Sequence, residues 1–190
     1  NLDEETGKPV GTLRIPSFLE HASGFIDSRS ILRNTTDYVG EEILKLVKKY
    51  GISGLSVNSD DIEKIVFTTA TELEFWVKSP SQDVASRKLS ASQKLQEQYW
   101  QRTHGVVRTA LEQAVERLEK YGLEPEMGHK EVGGIKAHID DSGKLIFVLE
   151  QLEVDWKFSS DPVQTADNEI QARIIIREAF RENGLDELIT

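Results

Sequence analysis

The chain has 190 residues, 38% of them hydrophobic, no cysteine and a formal net charge of −10. Without cysteine there is no disulfide framework and no thiolate metal site, so Asp, Glu and His are the strong side-chain ligands left for any metal. The negative charge argues against nucleic acid or an anionic membrane as the main partner, because both call for a basic surface, and no apolar run reaches the ~18 residues of a membrane span.

The opening "NLDEETGKPV" is acidic and polar, unlike a secretory signal, and a cytoplasmic location is expected. Residues 1–34 mix Gly, Pro and short apolar pieces without a sustained period, which predicts loops and short extended segments. A helix follows, with Thr35 or Thr36 as its cap, Val39, Ile43, Leu46, Val47 and Tyr50 at helical spacing, Lys48 and Lys49 in the last turn and Gly51 as the stop. From Ile65 to Val77 the pattern alternates. Ile65, Phe67, Leu73, Phe75 and Val77 fall on one face of a strand, and Thr68, Ala70, Glu72 and Glu74 on the other.

After a polar loop, a long helical pattern runs from Ser90 to about Tyr121, with a bend near Thr103 to Gly105 and Gly122 as terminator. The Gly-rich "GHKEVGGIK" leads to a hairpin in which Ile135, Ala137 and Ile139 alternate, "DDSG" turns and "KLIFVLEQLEVDWKF" returns. The last helix takes Thr165 as cap, Ile170, Ile174 and Phe180 near one face and Gly184 as stop. No repeat, low-complexity tract or linker divides the chain, and a single domain is expected.

Glu72 and Glu74 share one face of a strand with their side chains about 7 Å apart. Two carboxylates so placed need screening by water, a proton or a cation. A solvated strand face and a two-metal site, one carboxylate to each ion, are both open on this pair alone. Glu131 in "HKEVGG" and the returning strand, with Gln151, Glu153 and Asp155 on one face opposite Leu152, Val154 and Trp156, add acidic positions that could line the same sheet. His129 stands two residues before Glu131 and could line the site; His21, His104 and His138 read as ordinary surface or hydrogen-bonded residues. There is no phosphate-binding Gly-rich loop and no serine nucleophile elbow, and Trp76, Trp100 and Trp156 read as packing residues.

The ordered set of E-x-E at Glu72 and Glu74, "GLEPEMGHKEV", and "EQLEVDWKF" followed by "TADNE" resembles the catalytic domain of the glutamine synthetase family, and "FIDSRSILRN" is similar to its Asp-Pro-Arg segment. The likeness spans roughly Gly11 to Leu185. It implies an α+β fold with a curved, mostly antiparallel sheet that carries the carboxylates inside and helices packed on its outer face. It further implies ATP-dependent ligation of glutamate and ammonia through γ-glutamyl phosphate, with two or more Mg²⁺ or Mn²⁺ ions.

By the resemblance, Glu74, Glu131 and Glu153 hold one metal and Glu72 the other, while Glu126 and the segment Trp156, Lys157 and Phe158 contact nucleotide. Lys130 departs from the family's second histidine, and the hairpin before Gln151 is longer. The resemblance also places a β-grasp domain before this region and further metal, glutamate and phosphate ligands after it. The chain is therefore expected to be an internal part of a catalytic domain, inactive alone, from an enzyme of stacked homo-oligomeric rings. A γ-glutamyl ligase using an amine or polyamine, and a non-catalytic structural homologue, stay open beside glutamine synthesis.

Overall fold

A computed structural model describes residues 5–8, 11, 15–54, 56–79, 103–143, 145–185 and 187–189. The described chain is α+β, with three helices and two antiparallel sheets. It separates into two compact units, Asn1–Ile65 and Val66–Thr190. Each is described by itself.

In the first unit, β1 (Glu20–His21) pairs with β2 (Gly24–Phe25) and leads to α1 (Ser28–Tyr50). The predicted cap at Thr35 or Thr36 is corrected: α1 starts upstream because the Asp27 carboxylate accepts the Ser30 backbone N–H at 2.9 Å and the Ser30 hydroxyl at 2.7 Å. Thr36 instead donates its hydroxyl to the Leu32 carbonyl within the helix. Gly51 does end α1, at φ 69, and its N–H donates to the Val47 carbonyl.

The second unit holds all the candidate site residues. Its sheet has the order β4-β5-β3-β6, with β3 Thr69–Ser79, β4 Pro125–Ile139, β5 Leu145–Ser159 and β6 Glu187–Ile189, every neighbouring pair antiparallel. The strand expected from Ile65 begins at Thr69. The hairpin turn falls at "DDSG" as the turn residues predict: the Gly143 N–H donates to the Asp140 carbonyl, and Gly143 adopts φ 82.

Two helices cover one face of this sheet. In α2 (Gly105–Lys120), Val107, Ala110, Leu111, Ala114 and Leu118 form one buried stripe. In α3 (Pro162–Glu182), Ala172, Ile175, Ile176, Ala179 and Phe180 do the same. These pack on Leu73, Phe75, Leu152, Val154 and Trp156, and Phe75 meets Phe180 edge to face at 5.2 Å.

Three helix details differ from the sequence reading. Of the long helix predicted from Ser90, residues 90–102 lie outside the described residues, and the described part starts at Gly105, whose φ of 58 breaks a helix through the expected bend. The cap of α3 is Asp161, which accepts the Val163 and Gln164 N–H groups ahead of Pro162, and not Thr165. Thr165 instead accepts the Thr69 hydroxyl at 2.8 Å. Ile170 is exposed on α3, because the buried stripe runs through Ala172 and Ile176.

Candidate metal centre

Because strand side chains alternate, burying Leu73, Phe75 and Val77 under the helices turns Glu72 and Glu74 to the other face. The register then assembles the site. Glu72 lies opposite Asp155 and Glu74 opposite Glu153 across β3 and β5. On the other side of β5, His129 lies opposite Glu153 and Met127 opposite Asp155. β5 is thus the middle of an acidic strip with β3 and β4 as its flanks.

The register between β4 and β5 breaks after Lys130: Lys130 faces Leu152, but the next pair is Ile135 with Glu150. Residues 131–134 therefore bulge opposite Gln151. This bulge carries Glu131 to Glu153, and ligand atoms of His129, Glu131 and Glu153 all lie within 4.8 Å of one another. Donor atoms around one small divalent ion stand roughly 3 to 4.4 Å apart, given bonds of ~2.1 to 2.2 Å. The three donors stand close enough to converge on such an ion after shifts of a few tenths of an ångström.

Electrostatics agree with the geometry. Burial, then a hydrogen bond with Glu131 and the charges of Glu131, Glu72 and Asp155, push the Glu153 carboxyl up from 4.5 to about 8. A site that holds a proton this tightly favours added positive charge. Asp155 Oδ1 is buried and accepts no hydrogen bond, a further oxygen beside the cluster. His129 is oriented from behind: its Nδ1 lies 3.0 Å from the Lys130 carbonyl oxygen, which only accepts, so Nδ1 carries the hydrogen. In the neutral ring this leaves the Nε2 lone pair, at 3.9 Å from Glu153 Oε1, as the coordinating atom.

The structure thus brings together His129, Glu131 and Glu153 from the sequence-predicted set. Glu74 faces Glu153 across the ladder, but its Oε2 accepts the Gln151 Nε2–H at 2.6 Å. Glu72 is exposed and paired with Asp155 across the strands. Among the proposed nucleotide contacts, Glu126 and Lys157 are exposed and Phe158 is 58% exposed. Trp156 is a correction: its ring is 2% exposed and belongs to the core on the helix-covered face, so the side chain is not presented to a nucleotide. Lys157 stays near the chain itself, 3.4 Å from Glu124.

Sequence reasoning missed two features. Alternation puts Asp155 on the acidic face but gives no sign that it belongs to the site. Lys130 is in sequence only a departure from a motif, whereas in the fold its Nζ lies 3.2 Å from Glu150 on the buried face. The available signal was two charged residues in positions that alternation assigns to the core. Comparison with protein-family models and with curated proteins finds no match for this chain. Among the described residues no helix is long and apolar enough to cross a membrane.

Proposed function

We propose that this chain forms part of the catalytic sheet of a cytoplasmic, ATP-dependent ligase of the glutamine synthetase type, which joins ammonia to the γ-carboxylate of glutamate. The observation that supports this reading is the convergence of His129, Glu131 and Glu153 on one sheet face, beside the E-x-E pair Glu72 and Glu74. His129, Glu131 and Glu153 would hold a divalent ion, with Glu72, Glu74 and Asp155 adding negative potential around it. Two carboxylates with one imidazole suit Mn²⁺ better than Mg²⁺, which prefers all-oxygen sites. When bound, such an ion neutralises charge on phosphoryl and carboxylate oxygens, the main requirement of phosphoryl transfer.

The chain's own residues prepare the site. The Gln151 amide fixes one oxygen of Glu74 by hydrogen bonding. The Lys130 carbonyl fixes the His129 ring. Burial and the neighbouring carboxylates Glu131, Glu72 and Asp155 push the Glu153 carboxyl up to about 8, so loading the site with a cation at neutral pH releases a proton. Glu126 and Lys157 lie at the same end of the β4–β5 ladder, marked by Pro125 opposite Trp156, where an ammonium and a carboxylate could meet phosphate and ribose.

ATP binding measured by calorimetry tests the reading. ATP is expected to bind this chain only with Mn²⁺ present, to lose that binding in Glu153→Gln, and to weaken several-fold in Lys157→Ala. Failure to bind ATP, or binding that ignores both Mn²⁺ and Glu153, would overturn it.

A further inference from the structure

Lys130 and Glu150 are charged residues on the covered face of the sheet, where their neighbours Leu152, Phe75 and Val77 are apolar. Their side chains are 7% and 11% exposed, and Lys130 Nζ lies 3.2 Å from Glu150 Oε2. A buried ion pair is often no more stable than an apolar pair of the same volume, because desolvating two charges offsets their attraction. Its presence on this apolar face points to a role other than stability.

The register shows where the pair acts. Lys130 is the last β4 residue in register before the bulge, and Glu150 faces Ile135, the first residue in register after it. The ion pair therefore joins the two ends of the bulge from the side opposite the carboxylates. His129 and Glu131 flank Lys130 in sequence, so holding Lys130 toward the core directs both toward Glu153.

We propose that Lys130 and Glu150 are positioning residues: their contact closes the base of the bulge and sets the separation of Glu131 and His129 from Glu153. The proposal rests on the metal reading above, and it assigns to Lys130 a task in place of the histidine that the resemblance leads one to expect.

The test is Mn²⁺ binding followed by electron paramagnetic resonance, with melting temperatures measured alongside, on the parent, on Lys130→Met, on Glu150→Gln and on the exchanged double variant carrying Lys130→Glu with Glu150→Lys. The parent binds Mn²⁺; each folded single variant binds it roughly tenfold or more weakly, as outer partners of metal ligands usually do; the exchanged pair recovers to within about threefold. A folded single variant with the parent's affinity overturns the proposal, because a merely structural pair would lower the melting temperature and leave the affinity of the folded protein alone. If neither single variant folds, the exchanged pair decides: restored affinity supports the proposal, and a folded double variant without affinity overturns it. A parent that binds no Mn²⁺ would instead remove the metal reading on which the proposal stands.

Discussion

Glu153 is where packing and chemistry meet most closely. Its own side chain is buried on the acidic face, which takes the carboxyl out of water, while Glu131, Glu72 and Asp155 add negative charge around it. In the folded protein the carboxyl keeps its proton up to about pH 8, whereas in the unfolded chain it ionises near 4.5. Between these values the folded form binds the extra proton, so metal-free stability falls as pH rises across that window. Melting curves from pH 5 to 8 are therefore expected to show a declining midpoint in the parent and a flatter one in Glu153→Gln, with the variant the more stable protein at pH 8. A parent midpoint that rises over this range would mean that Glu153 ionises normally.

At the scale of elements, the site depends on how closely α2 approaches β4. Gly128 faces that helix: a Cβ built there would stand 2.8 Å from Val115 Cγ2 and 3.4 Å from Leu111 Cδ1. Gly128→Ala should overpack this contact and destabilise the fold by about 1 to 3 kcal/mol in urea unfolding; a neutral result would mean that α2 shifts without cost. The sequence showed the strands and helices through their alternation and their glycine stops, because Gly51, Gly143 and Gly184 occupy positive-φ positions that few other residues adopt. Helix starts were less legible. Asp27 and Asp161 cap α1 and α3, but serines and threonines within reach satisfy the same rule, and only the fold selects among them. Replacing Asp161 by Ala is expected to cost about 0.5 to 2 kcal/mol in the same measurement.

For the molecule as a whole, period-two alternation was enough to place Glu72, Glu74, Glu153 and Asp155 on one face. It could not place Glu131, because the bulge at residues 131–134 breaks the period and its size depends on which residues of β5 pair on either side. Nor could it separate Trp156 from Lys157 as nucleotide contacts, since the burial of Trp156 depends on where α2 and α3 lie. The central claim is that the acidic face is a metal centre organised by Glu131 and Glu153. The most direct test is the change in melting temperature on adding Mn²⁺ to the parent, to Glu131→Gln and to Glu153→Gln. At a Mn²⁺ concentration a hundredfold above its Kd the parent should gain about 3 kcal/mol, roughly 5 to 12 °C for a chain of this size, while both variants gain little. No rise in the parent, or an equal rise in the variants, would contradict the claim.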